Sequence, residues 1–209
     1  MRLVIYGAGG LGREILALLR ASDTDGQWDF IGFIDDGLPP GTRIGNAEVL
    51  GGMDRLISEK EPIAVVMGLA DPSIKSSLYE KLSGLPNVRF PVLVHPLAHV
   101  DPSATLADGS VVSAYCSISV DAALGICSFF NVGAQIGHDS VLGDFGSVMP
   151  HVDISGNVTI GARTLVGVGS KILQGLKIGS DVTVCIGSVV LRNVPDGCTV
   201  MGYPARAIG

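Results

Sequence analysis

The sequence predicts two domains of different fold class, an α/β domain over residues 1–95 and an all-β parallel β-helix over residues 96–209. Apolar strand patterns alternate with helical patterns through the first region, which is typical of a parallel sheet with helices. In the second region every sixth residue from Val100 to Val190 is aliphatic, apart from Phe130. The composition changes as well, because all five glutamates precede residue 81.

Composition narrows the possible classes of function. The 209 residues carry a net charge of −6, which argues against binding to nucleic acid or another polyanion. No apolar stretch reaches the roughly 18 residues of a membrane span, and the N-terminus enters a strand pattern without the regions of a signal peptide. The four cysteines lack CxxC spacing, which predicts packing roles in a reduced, cytoplasmic protein: Cys116, Cys127, Cys185 and Cys198.

The first region alternates strands with helices. Strands are predicted at Arg2–Tyr6, Phe30–Ile34, Ile63–Met67 and Arg89–Val94, and helices at Glu14–Ala21, Met53–Lys60 and Pro72–Leu82. Strands joined through helices pair in parallel, so we expect a small parallel sheet with helices on both faces. His95 and Pro96 mark the passage to the second region, because the residue before a proline avoids the helical conformation.

A glycine-rich loop follows the first strand and opens the first helix. Residues 7–12 satisfy G-x-G-x-x-G, in which Gly7 permits a tight turn and Gly9 lets the backbone approach a pyrophosphate at the helix N-terminus. Asp35, at the end of the second strand, could bind a ribose hydroxyl. The region supplies only one half of a dinucleotide fold, which favours a nucleotide over NAD redox chemistry. A glycine turn that merely packs tightly is the alternative.

A period of six residues does not suit a helix, and it predicts a parallel β-helix in which each short strand and its turn take a fixed number of residues. The aliphatic side chains are expected to point into the prism, and small residues two positions before the next aliphatic let the coils stack. Glycine often follows the aliphatic residue, as at Gly125 and Gly137, where we expect it to relax the corner. Val100–Pro195 should form about five coils of about 18 residues.

One of the four histidines is a catalytic candidate, and their spacing does not suggest a metal site. His95 and His99 flank the domain junction and are expected to be structural. His138 follows an inward aliphatic residue by two positions, so its side chain points outward near a corner, and Asp139 follows directly. Gly156, one coil later, opens room beside the histidine. This pattern predicts a general base at His138 oriented by Asp139, with a plain surface histidine as the alternative.

Four segments together resemble the hexapeptide-repeat sugar acetyltransferases of the PglD/NeuD-like family, over essentially the whole chain: Tyr6–Arg13, Gly32–Asp36, Asn131–Asp139 and Gly202–Ala205. The resemblance implies a Rossmann-like half domain followed by a left-handed β-helix. It also implies a homotrimer, with acetyl-CoA in the groove between neighbouring β-helices and a nucleotide-activated sugar on the N-terminal domain.

The family's site residues are carried over where the motifs match. His138 matches the general base and Asp139 its acidic partner. Residues that match nucleotide-sugar positions are Gly9, Gly10, Leu11, Asp35, Asp36 and Gly68, and those that match acetyl-CoA positions are Ser147, Gly156, Val168 and Ile186. The resemblance implies no metal.

Three residues depart from the family pattern. Leu11 stands where members commonly have histidine, and Leu69 stands where asparagine commonly follows the glycine. Ser147 stands where many members have a second histidine near the thioester, so a serine hydroxyl or a backbone amide would polarise the carbonyl instead. The first two departures leave the identity of the acceptor sugar open.

The resemblance implies an acetyl-CoA-dependent transfer to an amino group of a nucleotide-activated amino sugar, such as a UDP-4-amino sugar, in bacterial glycan biosynthesis. O-acetylation of a sialic-acid-like sugar is a close alternative. A non-catalytic nucleotide-sugar-binding scaffold and an NAD oxidoreductase are alternatives from other classes. The repeat has no inserted loop to cover an acceptor, so the N-terminal domain is expected to hold it.

Overall fold

The computed structural model describes residues 1–208 and divides the chain into two compact units. The first unit contains residues 1–70 and 74–91, and the second contains residues 71–73 together with the chain from Val92 onward. Each unit has its own arrangement of strands.

The first unit contains a six-stranded sheet with three helices in its sequence. Its elements are β1 (Arg2–Tyr6), α1 (Gly10–Ser22), β2 (Asp29–Ile34), β3 (Arg43–Ile44), β4 (Ala47–Gly51), α2 (Met53–Ile57), β5 (Ile63–Met67), α3 (Pro72–Leu82) and β6 (Val88–Arg89). The strand order is β3-β4-β2-β1-β5-β6, and all neighbours pair in parallel except β3 with β4. The central strands β1 and β5 are almost wholly buried, as their continuous apolar sequences predict.

Two sequence predictions for this region differ from the structure. The short antiparallel pair β3–β4 was not predicted, since each of its strands lacks a long apolar run. The single strand predicted at Arg89–Val94 was wrong, because β6 ends at Arg89 and the next strand, Leu93–Val94, belongs to the second unit. Pro91 lies between them, and proline has no N–H to donate to a strand ladder.

The second unit is a parallel β-helix with three faces. The first face contains β7 (Leu93–Val94), β10 (Val111–Val112), β13 (Phe129–Phe130), β16 (Ser147–Val148), β19 (Leu165–Val166), β22 (Thr183–Val184) and β24 (Thr199–Gly202), to which β25 (Ala205–Ala207) adds antiparallel. The second contains β8 (His99–Val100), β11 (Ser117–Ile118), β14 (Gln135–Ile136), β17 (Asp153–Ile154), β20 (Lys171–Ile172) and β23 (Val189–Val190). The third contains β9 (Thr105–Leu106), β12 (Ala123–Leu124), β15 (Val141–Leu142), β18 (Thr159–Ile160) and β21 (Lys177–Ile178).

The register confirms the predicted repeat. Ile136 pairs with Ile154, and Ile154 pairs with Ile172, so each coil advances the chain by the expected three hexapeptides. The third face has five strands, and a bridge from Ile178 to Val194 ends a sixth coil, which begins with β22 and β23. The aliphatic residue that ends each two-residue strand points into the prism, where the side chains of the central coils are fully buried.

The glycines that follow the aliphatic residues have a different role from the predicted one. They do not adopt positive φ angles. A Cβ on Gly137 would lie 2.5 Å from the backbone nitrogen of Gly156, and one on Gly143 would lie 2.6 Å from that of Ala162. These glycines therefore allow consecutive coils to approach. The left-handed backbone that turns the corner comes two residues later, as at Asp139, whose φ is 57°.

We number the corners in chain order. Corner I joins the first face to the second, corner II the second to the third, and corner III the third to the first. The four cysteines form no disulfide: Cys116 and Cys127 are buried, as a packing role requires, whereas Cys185 and Cys198 are half-buried, and burial raises the pKa of Cys116 to about 11. Between residues 1 and 208 no helix is long and apolar enough to cross a membrane.

Candidate functional site

His138 and Asp139 form a hydrogen-bonded pair at corner II. The His138 Nδ1 atom lies 2.7 Å from Asp139 Oδ2, and about half of each side chain is exposed. An ionised carboxylate only accepts hydrogen bonds, so Nδ1 carries a proton and donates it, and in the neutral imidazole this leaves a lone pair on Nε2. The predicted outward direction of His138 and its orientation by Asp139 are both present in this geometry.

Gly156 lies directly beneath the imidazole, one coil further along the chain. A Cβ at this position would come within 2.5 Å of His138 Nε2 and 2.7 Å of Cε1. Any other residue at 156 would therefore push the ring away from its present place. The 18-residue offset that predicted a glycine beside the histidine thus has a steric explanation.

Asp139 also has a conformational reason to be at this corner. Its φ of 57° is matched by 55° at Asp121 one coil earlier and 56° at Asn157 one coil later. Aspartate and asparagine tolerate the left-handed region better than most residues do. The corner therefore selects a short polar side chain, and at residue 139 that side chain also contacts the imidazole.

The other residues matched to acetyl-CoA lie elsewhere on the β-helix. Val168 and Ile186 occupy equivalent places at corner I in consecutive coils, and both are exposed. Ser147 begins β16 on the first face, is fully buried, and its hydroxyl has no hydrogen-bond partner within residues 1–208. The structure thus brings His138, Asp139 and Gly156 together, and it leaves Val168, Ile186 and Ser147 apart from them.

His151 was not singled out by the sequence, although the same 18-residue test would have found it. It lies at corner I, and a Cβ on Gly133, one coil earlier, would come within 2.6 Å of its Nδ1. Its ring makes no hydrogen bond to any of the residues that the structure describes. His95, by contrast, accepts a hydrogen bond from the Leu97 backbone at 3.0 Å, as its predicted structural role requires.

In the first unit the glycine loop contains two kinds of glycine. Gly7, Gly12 and Gly68 touch one another: a Cβ on Gly12 would overlap the Gly7 carbonyl, and one on Gly68 would lie 2.9 Å from Gly12 Cα. Gly9 and Gly10 have no atom within 4 Å of a Cβ, so their outer side is open. Leu11, on the first turn of α1, is half-buried.

The two aspartates after β2 hold backbone around this loop. Asp35 accepts hydrogen bonds from the amides of Ala8 and Gly37, both at 2.9 Å. Asp36 accepts from the Met53 amide at 2.8 Å and from the Tyr6 hydroxyl. Burial, and next the bond to Asp36, raise the pKa of Tyr6 well above its usual value. The sequence did not indicate this contact, because Tyr6 directly follows the apolar run Leu3–Ile5 within β1.

These residues border a small open cavity of about 180 Å³ in the first unit. Its wall contains Tyr6, Gly7, Asp35, Asp36 and Gly37 on one side, with Leu69, Ile74 and Leu78 completing it. The cavity has a carboxylate rim and an apolar wall, which suits a sugar or base with hydroxyl or amino donors. Within the described residues no cluster of histidine, cysteine and acidic side chains could hold a metal ion.

Comparisons with known proteins match both units. Residues 2–82 match the family model of the PglD N-terminal domain. GDP-perosamine N-acetyltransferase of Escherichia coli O157:H7 is 29% identical over 209 residues, covering 97% of this chain and 94% of that protein. The serine acetyltransferase of Synechococcus elongatus is 30% identical over 168 residues, but the chain spans only 65% of its length.

Solved structures match the whole chain. The acetyltransferase domain of PglB from Neisseria gonorrhoeae, in complex with acetyl coenzyme A, is 32% identical with a TM-score of 0.91 and covers 99% of this chain and 98% of that one. PerB from Caulobacter crescentus, in complex with CoA and GDP-perosamine, is 28% identical with a TM-score of 0.90, covering 100% and 98%. The chain therefore belongs to the hexapeptide-repeat sugar acetyltransferase family, and its second unit is a left-handed β-helix.

Proposed function

We propose that this protein transfers the acetyl group of acetyl-CoA to an amino group on a nucleotide-linked amino sugar. The observation that carries the proposal is the His138–Asp139 pair, whose imidazole lies on Gly156 with Nδ1 turned to the carboxylate. Relatives that match the whole chain support the substrate class, since one is a GDP-perosamine N-acetyltransferase and another was solved with CoA and GDP-perosamine.

The chemistry follows from the tautomer. As the sugar nitrogen attacks the thioester carbon, His138 Nε2 takes the proton of the amine, and the carbon–sulfur bond breaks to release CoA. Asp139 keeps the ring oriented and stabilises the imidazolium that forms. A base positioned in this way contributes about 10²- to 10⁴-fold to the rate.

The first unit is the proposed acceptor site. Gly9 and Gly10 offer open backbone at the start of α1, where amide groups and the helix dipole favour a phosphate. Asp35 and Asp36 border the adjacent cavity, and each carboxylate oxygen retains a second lone pair for a ligand hydroxyl or amine. Gly68 acts indirectly in this scheme, since it allows the glycine loop to pack against the end of β5.

We also propose a homotrimer with the second face toward the three-fold axis. Exposed large apolar side chains lie at both corners of that face: Leu97, Tyr115, Val168 and Ile186 at corner I, and Val120, Leu173 and Leu191 at corner II. Corner III instead carries charged residues, including the ion pair of Arg163 with Asp181. In a trimer of this kind, corner II of one copy meets corner I of the next, and acetyl-CoA would lie between them.

The proposed site of action is the cytoplasm. The four cysteines form no disulfide, which suits a reducing compartment. The enzyme would take acetyl-CoA and the nucleotide sugar from the cytoplasm.

Release of CoA over a panel of acceptors tests the function. We expect turnover with UDP- or GDP-linked amino sugars and none with free serine, because serine has no nucleotide for the glycine loop. If only CMP-linked sialic-acid-like sugars were turned over, the reaction would be O-acetylation and not the N-acetylation proposed here. Binding of sugar nucleotides without binding of acetyl-CoA, measured by calorimetry, would make the protein a scaffold and contradict the proposal.

A further inference from the structure

Two histidines of the β-helix have related geometry at opposite edges of the second face. His138 belongs to the coil of β13–β15, and its ring extends onto Gly156 in the following coil. His151 belongs to the coil of β16–β18, and its ring extends back onto Gly133 in the preceding coil. Both imidazoles therefore lie at the same height along the prism, between the same two coils.

The two rings cannot meet within one chain. Corner I and corner II are separated by the width of the second face, and the six residues from His151 to Asn157 span up to roughly 20 Å when extended. In the proposed trimer the two corners come from neighbouring copies. Rotation about a three-fold axis parallel to the prism leaves height unchanged, so His138 of one copy and His151 of the next lie at one level of the groove.

Resting on the proposed function, we propose that His151 of the neighbouring copy is a second catalytic residue, whose ring N–H donates a hydrogen bond to the thioester carbonyl oxygen. Three observations support this role. The ring is exposed and makes no hydrogen bond within residues 1–208. It lies at corner I, one coil before Gly169, the chain neighbour of Val168, and Ile186 is at the same corner. The buried hydroxyl of Ser147 has no exposed surface with which to perform this task.

The step balances without any further group. The carbonyl oxygen gains negative charge as the carbon–nitrogen bond forms, and His151 stabilises that charge without giving up its proton. His138 removes the amine proton and returns it to the departing sulfur when the carbon–sulfur bond breaks. The two histidines thus have different tasks, one as base and the other as oxyanion donor.

His151→Gly is the first test. Glycine occupies this corner at 133, 169 and 187, so the variant should fold. We expect kcat to fall by about 10²-fold, the typical loss for one oxyanion donor. His151→Asn keeps an N–H donor and tolerates the left-handed backbone, so it should recover part of the rate. Wild-type turnover in His151→Gly would overturn the proposal.

Mixed trimers test whether the residue acts across the groove. Copies with His138→Ala and copies with His151→Gly, carrying different tags and purified by both tags, form trimers with one complete groove in three. We expect about one third of the wild-type activity, although each parent trimer is nearly inactive. Failure of the mixed trimers to exceed their parents would show that the two histidines do not share a groove between copies, and would overturn the proposal.

Measurements of acetyl-CoA and CoA binding test the role of His151 independently of the proposed acceptor. Calorimetry should show His151→Gly binding acetyl-CoA about five-fold more weakly than wild type while CoA affinity is unchanged, because only acetyl-CoA has the carbonyl. This readout needs no acceptor, so it holds even if no sugar nucleotide is acetylated and the proposed function fails. Equal affinities of wild type and variant for acetyl-CoA would contradict the contact.

Discussion

The two units place their proposed sites by different means. In the β-helix a side-chain pair, His138 with Asp139, lies on a regular lattice in which each residue has a neighbour one coil away. In the α/β unit the proposed site adds open loop backbone to the carboxylates of Asp35 and Asp36, and the loop is shaped by glycines from distant parts of the sequence: Gly7, Gly12 and Gly68. In the proposed function, catalysis therefore depends on one chemical group, whereas acceptor binding depends on the shape of a loop.

The largest expected effect is on the chemical step. His138→Ala should lower kcat by about 10²- to 10⁴-fold while acetyl-CoA affinity changes little, because a base acts in the transition state. Steady-state kinetics and calorimetry measure the two quantities. His99→Ala, which removes an exposed histidine of β8 rather than of corner II, is the control, with its trimeric state verified by light scattering. Retention of wild-type turnover in His138→Ala would remove the residue from the mechanism.

The second effect is on the stability of the α/β unit. A methyl group on Gly12 overlaps the Gly7 carbonyl, so Gly12→Ala should lower the free energy of unfolding of this unit by about 1–3 kcal/mol. Gly10→Ala is the control, because its Cβ meets no atom and alanine favours the helix by about 0.5–1 kcal/mol. Urea unfolding should thus show changes of opposite sign, and equal changes would mean that the two glycines are not distinct.

A smaller effect is expected at Asp139. Asparagine keeps the left-handed corner but loses the negative charge, so Asp139→Asn should lower kcat by roughly ten-fold or less for a half-exposed pair. The comparison with His138→Ala in one assay is the measurement. A loss greater than that of His138→Ala would mean that the roles of the two residues are reversed.

Much of the proposed β-helix site could be predicted from the sequence, because the fixed repeat length determines where each residue lies in its coil. Counting six gives the inward residues, and counting 18 places Gly156 beneath His138. The role of the glycines after the aliphatic residues could not be obtained in this way. A glycine needed for a positive φ and one needed for close approach look alike in a sequence, and only the coil spacing separates them.

The α/β site was less predictable for a physical reason. The G-x-G-x-x-G pattern does not say which glycines are packed against other atoms and which have open space beside them. That difference depends on the position of Gly68 in the fold. The bond from Tyr6 to Asp36 joins residues 30 positions apart, and a tyrosine inside an apolar strand gives no sign of such a partner. Asp35 was predicted to bind ribose, and its two bonds to loop amides add a structural role.

The central claim is that the acceptor is held by the glycine loop and acetyl-CoA by the β-helix, and Gly9→Val tests it most directly. Gly9 has φ −72° and no atom within 4 Å of a Cβ, so valine fits the fold and extends only into the open space that we propose for phosphate. The thermal unfolding transition first verifies that the variant is folded, and Gly9→Ala provides a smaller side chain for comparison. For Gly9→Val, calorimetry should show sugar-nucleotide binding abolished and acetyl-CoA binding near wild type. Full sugar-nucleotide affinity in folded Gly9→Val would contradict the account.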